Sequence, residues 1–426
     1  MNPRRLLTAT ILVGLALSGT ACGAEPPPTA ELEATDTPAP EPVTITFWYS
    51  VGGENGELLV SMIDEFNETN AYGITVDHTY SGGYGETAQK VIASLASDTL
   101  PDGGLVPAAP LWTGREGNYK IAEFMEGPNG LDADDFWPVL WDYNEYDGEV
   151  CSLPFNNSTM VLYYNKDLMQ EAGLDAEKPP ETWDELESMA KQIVDNVPDS
   201  FGVDVKSADW MLKALILQNG GRIMNEDATD PAFDSPAGYE AMSWWQKLID
   251  EGLMLPAQHD GARDRFMSGR LGFFYDSTGS LGKVRSGAQF EWNTAFMPKR
   301  EQYGATVGGA ALALFPSSPE REQATWRFLK WLLSPENCIK WTVETGYVPV
   351  RESILESPEI QQLFEEFPES RAGFEQLEYA RTYPHFWEMG TLDDLLAQAI
   401  EKMELGTAGP QEALDEAASL LREEME

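Results

Sequence analysis

The spacing of apolar and polar positions along the chain changes near its middle, from alternating strands and helices to mainly helices. The first part reads as strands over 43–50, 73–78 and 103–108, with helices over 54–67 and from about Thr87. Apolar β-branched runs predict the strands, and apolar residues three and four apart predict the helices. This alternation indicates βαβ units and a mostly parallel sheet.

The second part of the chain is mainly helical. A capping box at 182–185 and the pair Ser235-Pro236 each open a helix. Periodicity predicts strands over 271–276 and 307–315, and helices over 182–194, 210–218, 235–252, 319–333, 335–344, 393–404 and 410–424.

One stretch connects the two parts. Residues 152–167 form an apolar and aromatic run that Pro154 and a polar cluster over 156–159 interrupt, before 161–164 resume the strand pattern. A break of this kind suits a strand that leaves one sheet, crosses a gap and enters another. We therefore predict an interdomain hinge here, with a ligand-binding residue in it.

Length and charge narrow the class of protein. A chain of 426 residues is too long for one ordinary core, so two lobes are expected. Its 71 acidic and 28 basic residues give a formal charge of −43. A surface this acidic repels nucleic acid and anionic lipid headgroups, which argues against both as partners. The simplest meaning of the charge is solubility.

The N-terminus predicts export. Arg4 and Arg5 precede an apolar run over 6–17, which is too short for a membrane span, and small residues then lead to Cys22. Small residues before a cysteine resemble the lipobox of bacterial lipoproteins, in which that cysteine is lipidated. We therefore expect a signal peptide over 1–21, and an ordinary signal peptide without lipidation is the alternative.

The segment after Cys22 is rich in Pro, Ala, Thr and Glu, so 22–42 is expected to be a disordered tether. The protein would then be extracytoplasmic, on the outer face of the cell membrane or on the periplasmic side if there are two membranes. The lipid on Cys22 would be its only membrane contact. Cys151 and Cys338 could form one disulfide or remain two buried thiols.

Motifs for metal, cofactor or nucleophile chemistry are missing from the sequence. His78, His259 and His385 are too scattered for a metal site or a catalytic triad. There is no phosphate-binding Gly-rich loop with Lys, no dinucleotide fingerprint and no Gly-x-Ser-x-Gly elbow. We therefore expect no cofactor, no metal and no enzymatic activity.

Polar, aromatic and glycine residues fall at or near the ends of the predicted strands. They are Ser50, Tyr84, Ser158, Ser277, Gly309 and Tyr347. Ligands of open α/β sheets bind at the carboxyl ends of strands. Because these residues come from distant parts of the chain, they indicate a cleft between two lobes.

Several motifs together carry a family resemblance. They are FWYS at 47–50, LPFNNSTMVLYYNKD at 153–167, PPETW at 179–183, TGSL at 278–281, GGAA at 308–311, TGYVP at 345–349 and PQEAL at 410–414. In this order they resemble the solute-binding proteins of bacterial ABC importers, extracellular solute-binding family 1, especially its glycerol-3-phosphate- and carbohydrate-binding members. The resemblance runs from about residue 43 to the C-terminus.

The resemblance implies an α/β, two-lobed periplasmic-binding-protein fold of type II, similar to maltose-binding proteins, with hinge crossings and an interlobe cleft. It implies a monomer that delivers a small solute to ABC permease subunits. The implied lobes and hinges are lobe 1 over 43–155 plus 297–334, lobe 2 over 157–292 plus 336–426, and hinges near Phe155, Ala295 and Pro335.

The resemblance also implies ligand contacts, at the positions that match the family's site. They are Tyr84, Ser158, Ser277, Gly309 and Tyr347. Two positions depart from the family: Ala108 stands where an acid holds glycerol hydroxyls, and Asp393 stands near the place of a phosphate-binding arginine.

The departure at Asp393 changes the expected solute. A carboxylate repels phosphate, although Arg381 could compensate, and it suits sugar or polyol hydroxyls. We include Asp393 and Trp210 among the ligand-binding candidates. Aromatic side chains that could stack on a sugar ring are Trp48, Trp210, Phe386 and Trp387.

Each candidate also has a structural interpretation. The tyrosines could simply cover a lobe surface, the tryptophans could be core residues, and Asp393 could lie at a helix N-terminus. At the level of function, a lipid-anchored sensor or adhesin with the same fold is one alternative. A secreted carbohydrate-active enzyme with two catalytic carboxylates is another.

Overall fold

The computed structural model describes residues 41–114, 120–382 and 385–426, which contain two large hydrophobic cores and a sheet that passes through both. The predicted signal peptide, Cys22 and nearly all of the tether lie outside the described residues, so these three expectations stay predictions. Among the described residues, no helix combines the length and apolar character that a membrane span requires.

The strands form one mixed sheet and one small hairpin. In chain order they are β1 (Val43–Tyr49), β2 (Ile74–Tyr80), β3 (Gly103–Pro107), β4 (Glu145–Tyr146), β5 (Glu149–Val150), β6 (Ser152–Asn165), β7 (Phe201–Val205), β8 (Leu271–Ser277), β9 (Trp292–Ala295), β10 (Ala305–Leu314) and β11 (Ala380–Arg381). The large sheet has the order β2-β1-β3-β10-β6-β8-β7, with β11 beside β10 and β9 beside β6. The hairpin consists of β4 and β5.

Helices fill the connections between these strands. They are α1 (Gly53–Thr69), α2 (Tyr84–Ser97), α3 (Ala109–Gly114), α4 (Lys120–Met125), α5 (Pro138–Asp142), α6 (Lys166–Glu171), α7 (Trp183–Asn196), α8 (Ala208–Gln218), α9 (Pro236–Asp250), α10 (Ala262–Met267), α11 (Leu281–Gly287), α12 (Pro319–Leu332), α13 (Pro335–Thr345), α14 (Pro358–Glu366), α15 (Arg371–Glu375), α16 (Met389–Glu404) and α17 (Pro410–Met425). The predicted caps are present, because the hydroxyls of Thr182 and Ser235 accept hydrogen bonds from backbone amides in the first turns of α7 and α9.

The prediction of a mostly parallel sheet is wrong for its centre. β1 is parallel to β2 and β3, and β7 is parallel to β8. In contrast, β10 runs antiparallel to both β3 and β6, and β6 runs antiparallel to β8. Local alternation of strands and helices could not reveal this, because β10 pairs with strands that lie far from it in sequence.

The proposed hinge stretch is one unbroken strand rather than two strands separated by a gap. All fourteen residues of β6 are buried. Its first part, up to Thr159, pairs with β10, and its second part, from Met160, pairs with β8 and β9. The strand stays extended because a change of partner keeps its buried backbone groups hydrogen-bonded. The pairing register with β10 shifts beside Pro154, which has no amide to donate.

Two hydrophobic cores define two lobes within the described chain. We call lobe 1 the part that packs around β1, β3, α1 and α12, and lobe 2 the part that packs around β7, β8, α7–α9, α16 and α17. The proposed lobe boundaries stay predictions, with one observation against them. Trp341 of α13 and Ile360 of α14 are buried in the lobe 1 core, although 336–426 was expected to belong to lobe 2.

The two cysteines of the described chain are free and buried, so the structure contains two thiols rather than a disulfide. Burial raises the pKa of each thiol to about 12. Both side chains are therefore protonated and unreactive at neutral pH.

Candidate functional site

A cavity of about 1310 Å³ is lined by residues of both lobes and by the strands that connect them. Trp48 and Phe386, which were predicted to stack on a sugar ring, do not line it, but the seven residues predicted to bind the ligand do. These residues are Tyr84, Ser158, Trp210, Ser277, Gly309, Tyr347 and Asp393.

Ser158 and Gly309 lie side by side at the crossing of β6 and β10. Ser158 is opposite Gly308 in the strand pair, and Gly309 is opposite Asn157. Gly309 has a φ of 116°, and a Cβ atom there would lie 2.0 Å from the Asn156 carbonyl oxygen. Only glycine fits this position, so the cavity wall here is bare backbone.

The crossing also concentrates buried polar atoms without a hydrogen-bond partner among the described residues. They are Asn156 Oδ1, both side-chain polar atoms of Asn157, and Thr306 Oγ1. Unpaired buried polar groups are costly, and in native proteins they often mark functional positions.

Two tyrosines and an asparagine form the lobe 1 side of the crossing. Asn156 Nδ2 donates to the hydroxyl of Tyr84 at 3.0 Å, and Tyr347 shares hydrogen bonds with both residues. Burial, followed by the neighbouring Tyr347 hydroxyl, raises the pKa of Tyr84 well above its usual range. Both phenols are therefore neutral and can donate or accept hydrogen bonds.

Ser277 ends β8 and caps the next turn. Its Oγ accepts a hydrogen bond from the amide of Gly279 at 3.1 Å, within a 3-10 turn over Thr278–Ser280. The ring of Tyr347 packs on Gly279, where a Cβ atom would lie 2.6 Å from the ring. Tyr347 is thereby held against the lobe 2 wall of the cavity.

Arg263 fixes the same turn from α10. Its Nε donates to Asp276 Oδ2 at 2.8 Å, and its Nη2 donates to Ser280 Oγ at 2.8 Å. Burial raises the pKa of Asp276, and the guanidinium of Arg263 opposes that rise. The arginine lines the cavity, but its charge is matched by this buried carboxylate.

Asp393 meets a cation that the sequence analysis did not identify. Lys213 Nζ donates to Asp393 Oδ1 at 2.5 Å and to Asp209 Oδ2 at 3.1 Å, and all three side chains line the cavity. Desolvation by the surrounding cavity walls raises the pKa of Asp393, and Lys213 opposes that rise. Asp393 lies one turn inside α16, so its interpretation as a residue of the helix N-terminus is wrong.

Arg381 has no contact with Asp393 among the ion pairs and hydrogen bonds of the described residues, and its compensating role stays a prediction. It lines the cavity, but its Nη1 donates to the carbonyl oxygens of Glu378 and Ala380. The sequence did contain one signal for the missed cation, since Lys213 of the predicted helix 210–218 stands four residues after Asp209, which directly precedes that helix. Nothing local connected them to Asp393, which lies 180 residues further along the chain.

The aromatic candidates divide into two groups. Trp210 packs on Gly308 and lines the cavity, and Trp387 also lines it, with an edge contact to Trp112 at 5.8 Å between ring centroids. Trp48 and Phe386 instead pack into the cores and do not line the cavity. The tryptophans that line the cavity can stack on a sugar ring.

Two other candidate positions have local backbone or packing roles. Ala108 lines the cavity with a φ of 49°, in the left-handed region that a non-glycine residue rarely adopts, and its small side chain leaves space. Ser50 is buried, and its Oγ donates to the Leu105 carbonyl at 3.0 Å, which ties β1 to β3. It does not line the cavity.

Metal binding has no support in the described ranges, where no group of three or more His, Cys, Asp or Glu side chains could hold an ion. His385 lines the cavity and contacts the Tyr143 carbonyl oxygen through Nε2 at 2.7 Å. Burial lowers the pKa of His385 to about 4, so this side chain is neutral at neutral pH.

Comparison with known proteins agrees with this architecture. Residues 61–368 match the family model described as "Bacterial extracellular solute-binding protein". The chain is 26% identical to the sn-glycerol-3-phosphate-binding periplasmic protein UgpB of Escherichia coli (strain K12), over 98% of this chain and 96% of that protein.

Solved structures show the same fold. A cyclic alpha-maltosyl-1,6-maltose binding protein from Arthrobacter globiformis is 27% identical, with a TM-score of 0.77 over 90% of this chain and 99% of that one. UgpB from Mycobacterium tuberculosis, solved with glycerophosphocholine, is 23% identical, with a TM-score of 0.79 over 90% of this chain and 98% of that one. The chain therefore belongs to the bacterial extracellular solute-binding proteins, the binding components of ABC importers.

Proposed function

We propose that the protein captures a sugar, polyol or glycerol-phosphate-like solute in this cavity and delivers it to ABC permease subunits. One observation carries the proposal: the candidate residues from both lobes converge on a single cavity beside β6, the strand that the lobes share. Binding sites of two-lobed proteins are expected at such an interface.

The chemistry of the cavity suits a solute with many hydroxyl groups. Phenol, amide and serine groups can donate or accept hydrogen bonds, and Asp209 and Asp393 can accept them. The indole of Trp210 offers an apolar face to the carbon side of a ring. Related proteins bind sn-glycerol 3-phosphate or a cyclic maltosaccharide, so both solute classes belong in a screen.

Delivery would follow from domain closure. The open form binds the solute, lobe 2 rotates onto lobe 1 about the connecting strands, and the closed form is accepted by the permease. The lipid on Cys22 would keep the monomeric protein at the outer face of the membrane. Release of a Cys22→Ala protein into the medium would support that anchor, and its retention in the membrane would contradict it.

A thermal-shift screen tests the binding function. The compounds are maltose, tagatose, glycerol, sn-glycerol 3-phosphate and glycerophosphocholine. A specific solute at a hundred times its dissociation constant should stabilise the protein by about 2.7 kcal/mol and raise its melting temperature by a few degrees.

Variants connect any shift to the cavity. Tyr347→Phe removes one hydroxyl from the site and should reduce the thermal shift, whereas Tyr72→Phe alters a tyrosine that is 47% exposed and is not among the lining residues. Equal effects of the two variants would argue against binding in this cavity. Family members bind solutes rather than transform them, and turnover of chromogenic glycosides would contradict a pure binding role.

A further inference from the structure

Asp209, Lys213 and Asp393 form a cluster on the lobe 2 wall that we call the acidic triad. Its members differ in how much of each side chain is accessible. The exposed fractions are 46% for Asp393, 28% for Asp209 and 6% for Lys213. The cation therefore lies behind two carboxylates, and the carboxylates form the surface that a solute meets.

The charge of the triad follows from its composition. Two carboxylates and one ammonium leave one negative charge when all three groups are ionised. Four other cations line the cavity. Arg263 is paired with Asp276, and Lys206 is paired with Asp260 at 2.8 Å. Lys283 and Arg381 also line the cavity, and no ion pair of the described residues joins either of them to the triad.

The arrangement also fixes the spacing of hydrogen-bond acceptors. Because one oxygen of each carboxylate contacts the same Lys213 nitrogen, the two carboxylates are held within a few ångströms of each other. Trp210, next to Asp209 on α8, presents its ring to the same cavity. Adjacent acceptors beside an aromatic face match adjacent hydroxyls on a ring or a polyol chain.

We infer that Asp209 and Asp393 bind hydroxyl groups of a neutral saccharide or polyol, and that the acidic triad disfavours phosphate-bearing solutes. A hydroxyl donates to a carboxylate in a charge-assisted hydrogen bond. A phosphate has mainly acceptor oxygens and a negative charge, so the exposed carboxylates repel it. This inference rests on the proposed function, because it assumes that the cavity holds a solute.

Isothermal titration calorimetry on the purified protein tests this assignment. The neutral probes are maltose, tagatose and glycerol, and the phosphate-bearing probe is sn-glycerol 3-phosphate. Asp209→Asn and Asp393→Asn keep side-chain shape and remove charge. Asp394→Asn is the matched control, since Asp394 is the exposed neighbour of Asp393 on α16 and does not line the cavity.

The wild type should bind a neutral probe more tightly than sn-glycerol 3-phosphate. Asp209→Asn and Asp393→Asn should each weaken that neutral binding by about 10- to 100-fold, the usual effect of losing a hydrogen bond to a charged group. Both variants should also shift the ratio of affinities towards sn-glycerol 3-phosphate, which a loss of stability alone would not do. Asp394→Asn should bind within about twofold of the wild type.

Other results would overturn the inference. If each variant still binds a neutral probe as tightly as the wild type does, the acidic triad does not have this role. The same holds if the wild type binds sn-glycerol 3-phosphate more tightly than the neutral probes. The proposed binding function would stand in both cases. Failure of every probe to bind would count against the proposed function, and the inference would fail with it.

Discussion

Gly309 illustrates how a single residue shapes the cavity wall. It combines a left-handed backbone with a close approach to the Asn156 carbonyl, at the point where the strand that joins the lobes changes partner. A side chain here would strain the backbone and push β6 away from β10. The residue is therefore needed for the crossing itself, whatever its role in ligand contact.

Gly309→Ala should lower the free energy of unfolding by about 2–4 kcal/mol, because strain and overpacking both act against the folded state. Gly85→Ala is the control, since a Cβ atom at this position in α2 meets no atom within 4 Å. The control should be neutral or stabilising by up to about 1 kcal/mol. Urea unfolding measures both, and equal midpoints would show that the close approach is not a constraint.

His259 belongs to a buried charge cluster in lobe 2. Its Nδ1 contacts Asp204 at 2.9 Å and its Nε2 contacts Glu404 at 2.9 Å, and Arg265 also pairs with Asp204. Burial lowers the pKa of His259, but the hydrogen bonds to the two carboxylates outweigh it and raise the pKa to about 9. The folded protein thus holds a proton that the unfolded chain releases near pH 6.5.

The protonated His259 side chain stabilises the folded state fully below about pH 6.5, and this contribution is lost as the pH rises to about 9. The free energy of unfolding of the wild type should therefore fall across this range. The difference in unfolding free energy between wild type and His259→Gln should shrink across this range by about 3 kcal/mol. Urea unfolding at pH 6 and pH 9.5 measures it. His78→Gln, on β2 in lobe 1, is the control and should run parallel to the wild type.

Most of the site could be predicted residue by residue, but its charge could not. Ser277 ends β8, a strand that the apolar pattern identified, so its place in the cavity followed from sheet geometry. Ser158 and Gly309 instead lie within β6 and β10, so the prediction that they stand at strand ends is wrong, although both line the cavity. Lys213 could not be predicted in this way, because a lysine within a helical pattern is normally expected to be exposed to solvent. Its burial depends on α16 packing against α8, a contact across a long sequence separation that no local pattern encodes.

At the scale of elements, capping residues and periodicity located most helices well. The predicted start of α7 and the two helices after β10 agree with the structure, because caps and prolines mark them locally. β6 was misread, since its polar cluster suggested a break. The polar residues instead lie where one continuous strand exchanges partners, and only the identity of its neighbours explains that.

A buried charge pair joins α10 to β8, in addition to the stacked rings of Phe266 and Phe274. Arg263 lies 2.7 Å from the buried carboxylate of Asp276 through Nη2, and it also binds the turn after β8. Removing one partner of such a pair leaves an uncompensated charge in the interior. The position of Ser277 in the cavity therefore depends on α10.

Arg263→Met should destabilise the protein by about 3 kcal/mol or more, and the loss should grow as the pH rises above the ordinary range of Asp, because Asp276 must then ionise without its partner. Lys191→Met removes a charge from an exposed pair with Asp195 and should have a much smaller effect, because solvent screens the pair. Chemical denaturation at pH 5 and pH 8 compares them. A loss in Arg263→Met no larger than in the control would show that the pair is dispensable.

At the scale of the whole molecule, the proposed function requires relative motion of the two lobes. Each lobe has its own core, and the proposed solute would contact residues of both. Closure should therefore accompany binding, and the radius of gyration from small-angle scattering should fall when the solute found in the thermal-shift screen is saturating. Asp209→Asn under the same conditions should need more solute for the same change. An unchanged radius at saturation would contradict closure.

The position of β10 in the sheet has a consequence for synthesis of the chain. β3 is complete at residue 107, but its neighbour β10 ends only at residue 314. At about 5–20 residues per second, the edge of β3 waits roughly 10–40 s for its partner. Until then lobe 1 presents an unpaired edge, which invites aggregation in the cell. If residues 1–21 act as the predicted signal peptide, the same delay would help export, because a first lobe that cannot complete its sheet early is easier to thread across a membrane.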